Sequence, residues 1–513
     1  MPYKYIKYYF FLFLLVVSLT ASAANPFYNI RDFGAKGDGT SLDTKAINDA
    51  IDAASNAGGG TVYFPAGTYL SFSIHLKSHI SLFLDAGCVL LAADSAANGK
   101  YDDAEPNPFD QYQDYGHSHW HNSLIWGADL QDIAIIGTGL INGTGLRRNA
   151  SARRPWGNKA IALKLCRNVL LRDFTIINGG HFGILATGVD NFTVDNLRMD
   201  TNRDGMDIDG CSAVRVSNCT VNSPWDDAIC LKSSYALGYA KPTQDVTITN
   251  CQVSGYDLGT LYNGTYKRDE WKRVPDKLGP TGRIKFGTES NGGFKNITIS
   301  NCVFEYCRGL ALEAVDGALL EDVSITNITM KDIVNAPIFL RLGARMRGPV
   351  ADSANGALRR VMISNVLVYN ADSHFAVIIS GVPHKIIEDV ALDNIRIYYR
   401  QMDSSFAKIP AIVPENEKDY PEPARMGIMP AYGFFIRHVN GIRLNNIEVS
   451  YLGKEIRPAI WMDDVQNAGL FSVRLQAVPG KKMIVLNNTG NFSIRESESF
   501  KNKTIKKTVN QSF

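Results

Sequence analysis

An all-β chain forming a single right-handed parallel β-helix is the fold this sequence predicts. Three observations predict it: a strand phrase recurs through most of the chain, residues inside each phrase alternate apolar and polar, and no ten-residue amphipathic helix separates the phrases. The phrases are VDNLRM, VSNCTV, ITNCQV, ISNCVF, ITNITM, ISNVLV, LDNIRI and LNNIEV, with their Asn at 196, 218, 250, 301, 327, 365, 394 and 446. The shortest steps are 22 and 26 to 29 residues, and the longer steps read as the same unit carrying an inserted loop. Val246 and Ile248, with Thr247 and Thr249 between them, show the period-two pattern of a strand. Such short strands bury their apolar face only by stacking coil upon coil. The missing helices exclude a βαβ reading.

In chain order, Lys4 and Lys7 precede the apolar stretch YYFFLFLLVVSL and then Ala21-Ser22-Ala23, the pattern of a secretory signal. Residues 1–23 are therefore expected to be removed, with the mature chain starting near Ala24 in the periplasm or outside the cell. That apolar stretch has twelve residues, against the ~20 a membrane-spanning helix needs, so no membrane span is expected. In LDTKAINDAIDAASNAGGG, Ala46, Ile47, Ala50, Ile51 and Ala54 recur at helical spacing until Gly58 to Gly60 end the run. This segment is expected to be a helix capping the open N-terminal end of the stack, and TVYFPAGTYL to begin the first coils. Residues 24–498 read as one β-helix domain, and 499–513, ending in the basic run KNKTIKKTVNQSF, as a solvated, disordered tail.

Composition narrows the function. The chain has 513 residues, a formal charge of +2, 45% hydrophobic and 20% charged residues, which describes a folded, nearly neutral protein, expected to be monomeric. No general basic surplus points to nucleic acid. Cys219, Cys251 and Cys302 each follow the repeat Asn, so the cysteines are expected to form a reduced interior ladder and not disulfides, and the Asn amides to bond from coil to coil.

One stretch carries chemistry. In TNRDGMDIDGCSAVRVSNCTVNSPWDDAICLKSS, residues 201–234, Asp204 and the pair Asp226-Asp227 are separated by one coil of about 22 residues. Neighbouring coils lie about 4.8 Å apart, so the three carboxylates are expected to share a cleft while Met206, Ile208, Ile229 and Leu231 point inward. Repulsion and burial raise the pKa of at least one such acid. A protonated acid beside ionised ones is the requirement for cleaving a glycosidic bond.

From these residues the chain resembles glycoside hydrolase family 28, the polygalacturonase family of pectin-cleaving enzymes, built on the pectin lyase-like solenoid. The resemblance runs through DFGAKGDGTSLDTKAINDAI, GGTVYFPAGTY and SLIWGADLQDIAIIGTGLINGTG, and is sharpest in NRDGMDIDGC, DDAICLKS and GRIKFGTE. It implies that Asp226 is the general acid and that Asp204 and Asp227 activate water. It also implies that Arg283 and Lys285 hold a substrate carboxylate, and with them Asn202, Arg203 and Lys232 are substrate-binding candidates. No cofactor or metal is expected, and the partner is a pectic poly- or oligosaccharide. Coil spacing alone would put the carboxyls about 5 Å apart, the distance of a retaining mechanism. The resemblance implies inversion, and inversion is expected, with the acids diverging at the bend to the roughly 6.5–9.5 Å that a water-mediated attack requires.

Two departures from the family pattern bear on the substrate. The family's Gly-His-Gly falls in CQVSGYDLGTLYNG, where Tyr256 or Asp257 stands instead of His, and the Thr of Asn-Thr-Asp is Arg203. Both point to altered subsites: exo action on galacturonan, or alternatively hydrolysis of rhamnogalacturonan. The insertion TLYNGTYKRDEWKRVPDKLGPTG, rich in Tyr, Trp, Lys and Arg, is expected to wall off one end of the cleft. His117, His119 and His121 alternate in GHSHWHNS, but a metal there would need further ligands, so His119 and Trp120 are instead expected to line the cleft. A calcium-dependent β-helix lyase and a non-catalytic polysaccharide-binding β-helix are the competing classes. A binding module would have no reason to keep a repulsive acid cluster.

Overall fold

The computed structural model describes residues 27–94, 96–114, 116–148, 157–269, 279–349, 356–403, 408–410 and 412–513. The export signal therefore lies outside the described residues. Among those described, no helix is long and apolar enough to cross a membrane.

Each coil contributes strands to three parallel ladders. Sheet 1 includes Phe182–Thr187, Asp204–Asp209, Ile229–Ser233, Ile284–Ser290 and Leu310–Ala314. Sheet 2 includes Asp190–Asp195, Ser212–Ser217 and Thr243–Thr249, and sheet 3 Arg198–Asp200, Thr220–Asn222 and Gln252–Ser254. Every coil-to-coil pairing along these ladders is parallel and mostly in register, as Val194↔Val216↔Ile248 shows. One continuous apolar core fills the stack, and all eight cysteines are free thiols buried in the fold. Burial pushes the thiols of Cys88 and Cys211 up to about 12, which keeps them un-ionised and inert.

The recurring Asn is the corner between sheets 2 and 3. All eight repeat Asn residues have positive φ, from 50° at Asn446 to 58° at Asn218, the left-handed conformation that Asn tolerates better than most residues. Their side chains bond between coils, as from Asn327 Nδ2 to Asn301 Oδ1 at 3.1 Å and from Asn394 Nδ2 to Asn365 Oδ1 at 2.7 Å. Backbone preference and ladder bond separate in a prediction for the exposed Asn327 (φ 57°). Asn327→Ala should lose about 2 kcal/mol in equilibrium denaturation, combining left-handed strain with the lost bond. Asn327→Gly, which relieves the strain, should cost clearly less; equal losses would show that the corner does not demand this conformation.

The helix Thr44–Asn56 caps the N-terminal end, burying Ala46, Ile47, Ala50, Ile51 and Ala54 as the spacing predicts. The C-terminal end corrects the sequence reading. Lys503–Ser512 is a strand paired antiparallel with Ile484–Arg495, with Ile494 opposite Lys503 and Val485 opposite Ser512. The last coil exposes unpaired backbone groups along its edge, and satisfying them outweighs the polar composition that pointed to disorder. Phe513 stacks edge-on against Phe492 at 5.9 Å between centroids, fixing the end of this strand.

Candidate active site

Asp204 opens one strand of sheet 1, and Asp226 and Asp227 lie in the turn entering the next, just ahead of Ile229. Met206 pairs with Ile229 and Ile208 with Leu231, all four buried, which sets the register. The backbone secures it: Gly205 N–H donates to the Asp227 carbonyl at 2.9 Å, Met206 N–H to Ala228 at 3.0 Å, and Gly282 N–H to Asp226 at 2.8 Å. Gly205 is needed for this approach, since a Cβ there would stand 2.4 Å from the Ala228 carbonyl oxygen and 2.5 Å from Val221 Cγ1. One carboxylate oxygen from each of Asp204, Asp226 and Asp227 lies within 4.8 Å of the others. The expected divergence to a wider separation is therefore not seen; the backbone bonds hold the two coils too tightly for it.

The three acids differ in their surroundings. The side chains of Asp204 and Asp227 are 4% and 3% exposed and that of Asp226 22%, so Asp226 is the one a ligand in the cleft can reach. Burial, and then Asp207 and Asp226, push the Asp204 carboxyl well above the usual range, against the pull of Arg203 and Lys232. Burial works in the same direction on Asp227, but Lys285 and Arg283 overcome it and hold that carboxyl below the usual range. Arg283 Nε donates to Asp227 Oδ1 at 2.9 Å and Lys285 Nζ stands 3.4 Å from Oδ2.

These opposite shifts give a pH prediction. A reaction needing one protonated and one ionised carboxyl should show a broad bell in kcat/KM, with its acid limb below the ordinary Asp value of about 3.9 and its alkaline limb well above it. Two limbs close to that ordinary value would contradict it. The stability effects also oppose each other. Asp227 contributes stability above the unfolded-state pKa that is lost as pH falls through its lowered value; Asp204 contributes stability below the unfolded-state pKa that is lost as pH rises through its raised value.

Arg203, which the sequence leaves either to reach a second substrate carboxylate or to pair with an aspartate, pairs with the acids: its Nη2 lies 2.9 Å from Asp226 Oδ2 and 3.7 Å from Asp204 Oδ2. Its Nη1 is 2.8 Å from Nδ1 of His181, in the preceding coil, whose imidazole burial and then Arg203 keep neutral. The site, whose family His is missing from the coil after the acid pair, thus receives a His from the coil before Asp204. Asn202 accepts the Gly180 N–H through Oδ1 at 3.3 Å. Lys232, also expected to bind substrate, is 5% exposed, with Nζ 3.1 Å from Glu289 and 3.9 Å from Asp207. A buried, paired ammonium cannot greet a ligand, so its part is electrostatic. Arg283 and Lys285 likewise meet acids of the chain: Glu313 and Glu422 each lie 3.8 Å from Arg283, and Glu313 lies 3.5 Å from Lys285. The acid cluster has the spacing to hold a cation, but its charge is already offset by Arg203, Arg283 and Lys285.

Several neighbours were not foreseen. His117 Nε2 is 2.9 Å from Asp207 Oδ2, and Tyr420 Oη is 3.0 Å from Lys285 Nζ. Glu422 bridges Arg308 at 2.5 Å and Asn335 at 2.7 Å. Asp207 had a sequence signal, as the outward residue between Met206 and Ile208, and His117 stood in the alternating His run without pointing to this partner; the rest arrive on loops. Trp120 does not line the cleft: it is fully buried, its Nε1 donating to Thr187 Oγ1 at 3.0 Å.

The cleft is bounded differently from the expectation. Along sheet 1, Trp120 covers the outward Ala162 and Leu185 on one side, and Val413, Met426 and Met429 cover Ala311, Phe339, Ile378 and Phe435 on the other. Between them lie the coils of the acids, Arg283 and Lys285, about 10 Å along the axis at ~4.8 Å per coil. There Tyr420 lies against Lys285 and His117 against Asp207 and, of the three acids, Asp226 is the most exposed. The Tyr-rich insertion does not form either wall in its described part. It turns back over sheet 3, where Asp200 accepts the N–H groups of Gly259 and Tyr262, each at 3.0 Å. Tyr256 packs there against Tyr306 and Arg268, and Asp257 accepts the Asp269 N–H at 2.8 Å. Residues 270–278 of the insertion lie outside the described residues.

Residues 27–257 match the family model described as rhamnogalacturonase A/epimerase, pectate lyase-like. A Vitis vinifera protein named "Probable polygalacturonase" is 26% identical over 382 residues, covering 67% of this chain and 74% of that one. An exo-poly-alpha-D-galacturonosidase of Dickeya chrysanthemi is 30% identical over 332 residues, 62% of this chain, which spans about half (52%) of that relative's length. Among solved structures, a family 28 exopolygalacturonase of Yersinia enterocolitica superposes with a TM-score of 0.62 at 19% identity, covering 87% of this chain and 79% of that one, a likeness of fold. The parallel β-helix with its acid cluster, taken with these relatives, indicates a glycoside hydrolase. Within that class, these likenesses support an assignment to glycoside hydrolase family 28, the polygalacturonase family.

Proposed function

We propose that this protein hydrolyses α-linked galacturonate from the ends of pectic chains, with inversion, outside the cytoplasm. The observation that carries the reading is the asymmetry of the acid cluster: one reachable carboxyl, Asp226, beside a buried Asp227 kept ionised by Arg283 and Lys285. Asp226 donates its proton to the glycosidic oxygen as the bond to the anomeric carbon breaks. A water held by Asp227 and Asp204 attacks that carbon from the opposite face, giving its proton to Asp227. With Asp227 gripped on both oxygens by cations, it is better placed to orient a water than to bond to the sugar, which favours inversion despite the close spacing. The segments that cover sheet 1 on both sides of the acid coils favour terminal attack over binding in mid-chain, as do the names of the relatives.

A second assignment of the acid follows from the pairing of Asp226 with Arg203 at 2.9 Å, beside an Asp204 carboxyl that burial pushes well above the usual range. In that case Asp204 supplies the proton. A second substrate also has a specific support. Arg283, Lys285 and Arg308 already face Asp227, Glu313 and Glu422, so a neutral sugar fits beside them, as rhamnogalacturonan would provide. Product profiles on homogalacturonan and on rhamnogalacturonan fragments decide. Monomeric galacturonate from the first alone supports galacturonan-terminal hydrolysis; products from the second alone give the alternative; a ladder of internal fragments sinks terminal attack.

A further inference from the structure

A second groove of about 680 Å³ lies on the outer face of sheet 3, away from the acid cluster. Its floor is a row of outward residues at one register, Arg198, Thr220, Gln252 and Val303, one from each successive coil. The row therefore runs along the axis of the helix at ~4.8 Å per step. Its wall is the insertion after Ser254, and that wall is built, not loose. Asp200, 2% exposed, fixes it through the Gly259 and Tyr262 N–H groups. Arg268 is held between the rings of Tyr256 and Tyr306, 5.4 and 4.6 Å from their centroids, and pairs with Glu305 and Asp332. From this frame Tyr262 and Tyr266 project 57% and 52% exposed over the groove.

We propose that this groove is a second binding site for a uronate-bearing polysaccharide, holding the polymer while the acid cluster works on its ends. Exposed tyrosine rings give flat apolar faces for sugar rings, with hydroxyls for their polar edges. Gln252 and Thr220 supply amide and hydroxyl groups along the row. Arg198 is exposed and has no carboxylate partner among the described residues, whereas Glu305 and Asp200 are committed within the wall. The cation left available therefore selects an anionic chain. The polymer assignment rests on the pectin-hydrolase reading; the groove itself does not.

The test compares Arg198→Glu and the double change Tyr262→Ala with Tyr266→Ala, each in wild type and in an Asp226→Asn background. Binding to insoluble polygalacturonate, measured by sedimentation in that background, should weaken at least fivefold in both, while kcat/KM on trigalacturonate in the active enzyme stays within twofold. Unchanged gel binding would overturn the proposal, as would absence of binding by the Asp226→Asn protein itself. Arg198→Glu losing a neutral galactan gel to the same extent would overturn the uronate assignment. If the wild type leaves trigalacturonate intact, the proposed function fails while the gel comparison still judges the groove, with thermal unfolding midpoints confirming that the variants fold.

Discussion

Asp226→Asn is expected to lower kcat on a galacturonan about 10²–10⁴-fold with KM nearly unchanged, the range for losing a general acid. Asn keeps the size and the polar contact to Arg203 but has no proton of suitable acidity to give. The change also frees Arg203 to act on Asp204, 3.7 Å away, so the residual activity should show an alkaline limb moved to lower pH. A substrate whose leaving group departs without protonation, such as a nitrophenyl galacturonide, should be cleaved far less unevenly by wild type and variant. Activity within tenfold of wild type on the polymer refutes the assignment. If Asp204→Asn is instead the variant rescued by the activated leaving group, the proton comes from Asp204.

Lys285→Met should be the second severe change. From the sequence alone, loss of this cation is expected to raise KM for charged substrates and spare neutral ones. The structure adds a larger consequence, because Lys285 is 1% exposed, 3.4 Å from Asp227, 3.5 Å from Glu313 and bonded to Thr288 and Tyr420 at 3.0 Å each. Removing one partner of a buried ion pair costs about 3–5 kcal/mol, so the unfolding midpoint should fall. Asp227 also loses the first of the cations that keep it ionised. The acid limb of kcat/KM should therefore move to higher pH, with kcat reduced about 10²-fold or more, on neutral and charged substrates alike. A rise in KM with an unmoved acid limb would restrict Lys285 to carboxylate binding.

The parts of this molecule written in local pattern were legible in the sequence. The Asn phrases mark corners because a left-handed residue and an interior strand must recur once per coil, and Asn327 or Asn394 does both jobs whatever surrounds it. The helix Thr44–Asn56 was legible for the same reason, its apolar stripe being complete within thirteen residues. The acid cluster followed from coil length, since Asp204 and Asp226 differ by one turn of the stack. What the sequence did not show depends on chain folded in from far away. His117 reaches Asp207 across 90 positions and Tyr420 reaches Lys285 across 135, and no period links them. Lys232, Arg283 and Lys285 were read as cations awaiting a substrate because their acidic partners, Glu289, Glu313 and Glu422, sit on other coils or loops. That the described part of the Tyr-rich insertion lies over sheet 3 and not at the cleft was not legible because Asp200, which draws it there, looks in sequence like any other loop aspartate. The strand Lys503–Ser512 was hidden by its composition, its partner being the open edge of the last coil.

Proton NMR of polygalacturonate digestion in its first minutes, before mutarotation, tests the central claim most directly, because one spectrum reports bond chemistry, position of attack and stereochemistry together. The account predicts saturated monomeric galacturonic acid from the outset, with the β-anomer in excess. Unsaturated uronide signals, or an initial excess of the α-anomer, would contradict the water-mediated displacement assigned to Asp204, Asp226 and Asp227.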